Sequence, residues 1–434
     1  MKKILFFLIL LLTIISSQVF AVTVNSPTAI LIDADTGRIL YEKDAYKAAY
    51  PASTTKILTA ILALENCDIY DEVTASYAAI MSVPVGGSHA AIQVGETLTV
   101  KELLQALLIC SGNDAANILA EHIGGSMESF ATMMNTRAKE LGCQNTNFVN
   151  SSGLHDDNHY TTAYDLAILY KYATDNFPEF NEIVATIRFR LPITDKYSTD
   201  DRFYLNSNQL IVPNSSNSAK NYYYPYATGG KTGFTTQSKN CLVAGASKDG
   251  VNLIAVVLGA VQDSAGVSYR FTDTKNLFEY GFGAIVPNQI AEAGTTIKTL
   301  PVENAKEKDA TVKLQLKEGL TTTINRSDLY TKFEPVLVFQ EEIVAPVTEG
   351  DVLGTATYTI YDKEYQIDLV AANSIEAKNS LVAGVTKFLK NTLMTVGILG
   401  LLLVVIRAYN KNEARKRRMR RSFNVGRYNT RFRR

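Results

Sequence analysis

The stretch Tyr50-Pro51-Ala52-Ser53-Thr54-Thr55-Lys56-Ile57-Leu58-Thr59-Ala60 constrains the fold most, because its helical continuation through Ile61, Leu62 and Leu64 is apolar over much of its circumference. Such a helix needs covering on nearly every side and belongs at the centre of a domain. Pro51 suits the helix entry. The same stretch holds the only Ser-x-x-Lys of the chain. Residues three apart share a helix face, so the Lys56 amine can reach the Ser53 hydroxyl. A serine hydroxyl is a weak nucleophile, and a neutral amine one turn away can take its proton as it attacks a carbonyl. Alone, the tetrapeptide is equally compatible with an ordinary capped helix and a surface lysine.

The surrounding pattern predicts what covers this helix. Ala29-Ile30-Leu31-Ile32 and Arg38-Ile39-Leu40-Tyr41, joined by Asp33-Ala34-Asp35-Thr36-Gly37, read as two short strands around a tight turn. Helical patterns follow over Val100 to Leu108, Asp114 to Ile123, Met127 to Leu141 and Thr161 to Tyr172, with Asp114 as a natural cap for the second. A glycine-flanked strand begins at Gly229, and Cys241 to Ala246 and Val251 to Leu258 bracket an Asp249-Gly250 hairpin turn. A last helix covers Asp273 to Phe282. The strands at both ends of this region must meet in one sheet, which makes a mixed α/β domain over residues 22–284. Short β-rich runs from residue 285 to about 372, such as Ala310 to Leu316 and Gly354 to Ile360, predict a small all-β domain.

The chain ends carry signals of another kind. Met1-Lys2-Lys3, an apolar run from Ile4 to Ile15 and Val19-Phe20-Ala21 read as a secretory signal peptide over residues 1–21. Residues 373–387 read as a linker. Phe388 to Ile406 is almost continuously apolar and would measure roughly 28 Å as a helix, near the hydrocarbon thickness of a bilayer. Residues 407–434 follow with twelve Arg or Lys and one Glu, leaving 31 basic against 42 acidic side chains elsewhere. Basic residues mark the cytoplasmic side, so the expectation is a transmembrane anchor with the body outside the cell membrane and the tail inside; an interfacial helix is the alternative. Beside a membrane segment, the basic tail points to anionic lipid and not to nucleic acid. Cys67, Cys110, Cys143 and Cys241 are widely spaced and predict free thiols; Cys110 ends an apolar run and reads as packing.

Three short patterns combine: Ser53-x-x-Lys56, Ser111-Gly112-Asn113 in a loop between two helices, and Lys231-Thr232-Gly233, whose glycine would let a ligand approach the strand. Their order and context resemble the active-site serine penicillin-binding proteins and β-lactamases, and most of all the low-molecular-mass D-alanyl-D-alanine carboxypeptidases. The resemblance extends through Leu31 to Gly37, Ser111 to Asn117, Phe148 to Leu154 and Thr161 to Ala167, and covers roughly residues 25–284. It implies a β-lactamase-like catalytic domain, an antiparallel sheet flanked by helices, that needs no cofactor.

The resemblance also implies roles. Ser53 would attack the carbonyl between the last two D-alanines of a peptidoglycan stem peptide, and Lys56 would take its proton. Burial and the cation Lys231 would lower the Lys56 pKa as that requires. Ser111 would relay a proton to the leaving amine, and Asn113 would hold the substrate amide and Lys56. Lys231 and Thr232 would bind the terminal carboxylate, with Gly233 beside them. The N–H groups of Ser53 and Phe234 would form an oxyanion hole, each donor contributing on the order of 3 kcal/mol. Many relatives carry histidine or tyrosine where Phe234 stands. Arg270 would help with the carboxylate or serve a structural salt bridge. β-Lactam antibiotics would acylate Ser53.

No Gly-x-Ser-x-Gly elbow and no His-Glu-x-x-His zinc signature occur. His155 and His159 lie beside Asp156 and Asp157, but without helical periodicity they read as a hydrogen-bonded loop and not as metal ligands. Within the same chemistry the alternatives are a D,D-endopeptidase and a β-lactamase. The alternative outside it is a non-catalytic wall-binding protein.

Overall fold

The structure is a computed structural model that describes residues 22–213 and 221–378. The expected signal peptide (1–21), membrane anchor (388–406) and basic tail (407–434), with most of the linker, lie outside the described residues. Among the described residues, no helix is long and apolar enough to cross a membrane.

Two compact units emerge. The first runs to Asn288 and takes in Thr322–Thr331; the second comprises Gln289–Thr321 and the chain from Lys332. The excursion of residues 322–331 back into the first unit departs from the linear partition at residue 285.

The first unit begins with strands β1 (Thr28–Asp33) and β2 (Ile39–Lys43). A 3-10 turn, Ala52–Thr55, leads into helix α1 (Lys56–Asn66). Strand β3 (Glu72–Thr74), helix α2 (Tyr77–Met81), strand β4 (Thr97–Thr99) and helices α3 (Val100–Leu108), α4 (Asn113–Gly124), α5 (Met127–Glu140), α6 (Ala163–Asn176) and α7 (Pro178–Ala185) follow. Next come the short strands β5 (Arg188–Arg190) and β6 (Phe203–Leu205), the long strands β7 (Ala227–Thr235), β8 (Lys239–Lys248) and β9 (Val251–Ala260), and helix α8 (Tyr269–Ala284). Strand β10 (Ile285–Ala291) leaves the unit.

The sheet order is β2-β1-β9-β8-β7 with antiparallel neighbours throughout, so the strands from early and late in residues 22–284 meet as expected. Each central strand buries both faces, which is why these strands read as continuous apolar runs. Ile30 and Ile32 of β1, with Ile254, Val256 and Leu258 of β9, join the helical core around α1, α3, α4 and α6. The alternate residues Ala29, Leu31, Leu253, Ala255 and Val257 join Leu277 and Phe278 of α8 in a second core. Helix α1 is buried from Lys56 through Ala63, as its circumference demands. Asp249 and Gly250 make the β8–β9 hairpin with φ of 51° and 77°.

Four of the eight α-helices among the described residues start on a side-chain cap. Thr99 and Glu102 form a reciprocal capping box on α3, and Thr162 caps α6 through Asp165 N. Helix α4 differs from expectation: it starts at Asn113 with Gly112 at the cap position, so Asp114 lies inside the first turn and does not cap it. Helix α8 starts four residues earlier than the pattern suggested, which brings Arg270 into its first turn.

The second unit holds β11 (Thr296–Pro301), β12 (Thr311–Leu316), β14 (Val336–Phe339), β15 (Val352–Ile360) and β16 (Lys363–Ala371), while β13 (Leu320–Asn325) runs from it into the first. Its five-stranded sheet has the order β11-β12-β16-β15-β14. Burial alternates along β12, with Val312, Leu314 and Leu316 inside, the period of a sheet with one wet face.

Candidate active site

Ser53 sits in the 3-10 turn directly after Ala52, whose φ of 47° is left-handed and strained for a residue with a Cβ. Lys56 opens α1, and its side chain is wholly buried. Its Nζ lies 3.0 Å from Ser53 Oγ, 2.7 Å from Asn113 Oδ1 and 2.6 Å from the Ser152 carbonyl oxygen. Burial holds the amine well below the usual lysine value, and Lys231 pushes the same way, against weaker opposite effects of Asp114 and Cys110. A neutral amine has two N–H bonds and one lone pair. In that form the Asn113 and Ser152 oxygens would accept both N–H bonds and leave the lone pair for the Ser53 hydroxyl.

Ser152 was missed from the sequence, because a carbonyl acceptor leaves no side-chain signature. The turn that aims it is built by Asn150, whose Oδ1 accepts from Ser152 N, Ser152 Oγ and Gly153 N. Gly153 has φ of 85°, and a Cβ there would fall 1.8 Å from the Ala52 carbonyl oxygen. The turn and the Ala52–Ser53 backbone therefore touch main chain to main chain.

Ser111 precedes α4 in the left-handed region, φ 64°, and with Asn113 it is nearly buried. Strand β7 brings Lys231, Thr232, Gly233 and Phe234 along the edge of the sheet. Lys231 is buried and its Nζ donates to the Thr232 carbonyl at 3.0 Å. Burial pushes it down to about 7, with Cys110 opposing and Arg270 reinforcing. Thr232 Oγ1 pairs with Ser207 Oγ at 2.6 Å, a partner the sequence did not flag. Phe234, next along the strand, is 62% exposed.

Gly233 also allows a close approach within the protein. A Cβ on it would lie 2.9 Å from the Pro51 carbonyl and 3.2 Å from Ser53 N, so the close neighbour is the protein's own nucleophile turn. The same approach sets Ser53 N beside the strand that carries Phe234.

Arg270 donates through Nη1 to the Gly233 carbonyl at 3.3 Å, and its guanidinium lies over the Phe271 ring. It forms no salt bridge with any described residue, and its buried Nε has no hydrogen-bond partner. The structural salt bridge is thus replaced by a backbone bond to the Lys-Thr-Gly strand. Cys110 donates to the Ala106 carbonyl and burial pushes its thiol up to about 12, so it packs and is no thiolate. All four cysteines are free. Of the histidines, His159 is buried between Thr55 Oγ1 at 2.8 Å and Val149 N at 3.1 Å.

Residues 15–262 match the model of the D-alanyl-D-alanine carboxypeptidase family. The chain belongs to this family. It is a serine-type carboxypeptidase, and a low-molecular-mass penicillin-binding protein by its relatives and its fold. Residues 287–377 match the C-terminal domain of penicillin-binding protein 5. The chain is 33% identical over 377 residues to the D-alanyl-D-alanine carboxypeptidase DacF of Bacillus subtilis, covering 85% of this chain and 89% of that one. It is 29% identical to the carboxypeptidase DacC of Escherichia coli over 82% of this chain and 86% of the other. Among solved structures it is similar to a peptidoglycan synthesis regulatory factor, PBP3, of Streptococcus pneumoniae, with a TM-score of 0.66 and 26% identity over 82% of this chain and 100% of that chain. Penicillin-binding protein 5 of Haemophilus influenzae gives a TM-score of 0.60 at 27% identity, over 82% of this chain and 98% of that chain.

Proposed function

We propose that this carboxypeptidase removes the terminal D-alanine from peptidoglycan stem pentapeptides at Ser53. Ser53 Oγ attacks the penultimate D-alanine carbonyl and hands its proton to the neutral Lys56 amine. Ser53 N–H and Phe234 N–H receive the oxyanion. As the C–N bond breaks, the proton taken up by Lys56 is relayed through Ser111 to the leaving amine, D-alanine departs and the acyl-ester remains on Ser53 for water to cleave. Lys231 and Thr232 bind the terminal carboxylate; an arriving anion restores the Lys231 charge that burial weakens. Asn113 holds Lys56 and the substrate amide.

The observation that carries this is the buried Lys56 amine, held within 3.0 Å of Ser53 Oγ by the Asn113 and Ser152 oxygens, with its pKa pushed well down by burial and by Lys231. A β-lactam presents a strained amide to the same serine, so penicillin would acylate Ser53. We further propose that the enzyme works outside the cell membrane, tethered by residues 388–406 with the basic tail inside. The apolar length followed by twelve basic residues supports that topology.

The test is release of D-alanine from diacetyl-L-Lys-D-Ala-D-Ala by wild type and Ser53→Ala. Wild type is expected to turn the peptide over and the mutant to lose at least about 10³-fold. No release by wild type, or equal release by the mutant, would overturn the mechanism.

A further inference from the structure

We propose that Asp114 is a positioning residue that uses the main chain of Ser88–Ile92 to hold the Asn113 side chain against Lys56. This deepens the functional reading above and rests on it. Asp114 is 2% exposed, and its carboxylate is spent on main-chain donors. Ala90 N donates to both carboxylate oxygens, at 2.9 and 2.8 Å, and Ile92 N donates at 3.2 Å; Ala115 N donates at 2.9 Å within the helix. The opposite bond closes the lock: Asn113 N, free at the first turn of α4, donates to the Ser88 carbonyl at 2.9 Å. From the far side, Tyr204 OH donates to the Ala90 carbonyl at 2.7 Å.

Gly87, the residue just before the locked segment, faces the Asn113 amide. A Cβ on Gly87 would stand 3.2 Å from Asn113 Nδ2. The Asn113 side chain therefore has the loop against its amide nitrogen and Lys56 Nζ on its oxygen. Without the Asp114 carboxylate, the N–H groups of Ala90 and Ile92 lose their acceptor, and the loop that backs Asn113 is released.

Charge and geometry act in opposite directions here. The titratable groups facing Lys56 are Lys231 on β7, Asp114 on α4, Cys110 in the loop before it and His159 beyond Gly153. Asp114 raises the Lys56 pKa, which by itself hinders a general base. A carboxylate kept in this place is explained by what it holds. Asp114→Asn removes the charge, which favours the neutral amine, and turns an amide donor toward the N–H groups, which displaces the loop.

The experiment measures penicillin acylation and the pH profile of kcat/KM on diacetyl-L-Lys-D-Ala-D-Ala for wild type, Asp114→Asn and Gly87→Ala, with melting temperatures alongside. Asp114→Asn is expected to move the acid limb to lower pH while the plateau falls about 10-fold or more. Gly87→Ala leaves the Asp114 bonds in place and presses on Asn113 Nδ2 at 3.2 Å as well as on the Pro84 carbonyl at 3.0 Å and Val83 at 3.3 Å; it is expected to slow acylation, with the melting temperature reporting any strain within the turn. Asp114→Asn with a plateau within about twofold of wild type, or Gly87→Ala acylating at the wild-type rate, would overturn the proposal. Wild type that is not acylated at all would instead sink the Ser53 mechanism.

Discussion

Burial pushes His159 down to about 4, with Lys56 and His155 adding to the effect and Asp156 opposing it. Val149 N–H points at Nδ1, so Nε2 carries the proton and donates to Thr55. In the unfolded chain an imidazole binds a proton below its ordinary value of about 6.5, while the folded protein refuses it until about 4. Stability therefore falls as pH drops from 6.5 to 4, by about 3 kcal/mol in all. His159→Gln retains a donor for Thr55 and does not titrate. Its melting temperature is expected to decline less steeply than wild type over that interval; parallel slopes would contradict the assignment. Residues proposed to act through their side chains, Ser53, Lys56 and Lys231, were legible in the sequence because few residue types can replace them. Ser152 was not, since it works through its carbonyl. Asp114 was misplaced because an aspartate next to a helix start satisfies a local cap and a distant loop equally well, and only the fold decides between them.

At the scale of elements, the decisive contact joins two turns and no regular structure. The Asn150–Gly153 turn lies against Ala52, and Gly153 fills a space where no side chain fits. Gly153→Ala forces the turn off the nucleophile's backbone and carries the Ser152 carbonyl away from Lys56. Penicillin acylation is expected to fall by about 10²-fold or more, with a lowered melting temperature; near-normal acylation would show that the carbonyl is dispensable. The large elements were readable: β1, β8, β9 and the helices α1, α3 and α5 have long apolar periods. The three-residue strands β3 to β6 are too short to show a period of two, and the eight-residue α7 was overlooked despite its Pro178 start.

At the scale of the molecule, the first unit is not a continuous piece of chain. Thr323 Oγ1 donates to the buried Asp33 carboxylate, and Arg38 Nη1 donates to Asn325 Oδ1 at 2.8 Å. Both link the turn between β1 and β2 to a segment almost 300 residues later, as the sequence separations of 290 and 287 record. No local pattern announces such a return. A chain ending at Ala284 is expected to melt below the chain ending at Lys378, and Thr323→Val in the longer chain to move in the same direction by about 1–3 kcal/mol. Equal melting of the two chains would show that the excursion adds nothing to the first unit.

Strand β1 lies inside the sheet, with Thr28 opposite Leu258 and Asp33 opposite Leu253. Its inner edge stays open until the ribosome has finished β9, and closing so distant a pair is slow. Lys231 and the edge of β7 are likewise made long after Ser53. During synthesis the serine thus exists for most of the chain's emergence as an ordinary alcohol beside a solvated, protonated lysine. On the mechanism proposed above, Lys56 would become a base only once the later chain, Asn113 and Ser152 included, has closed around it.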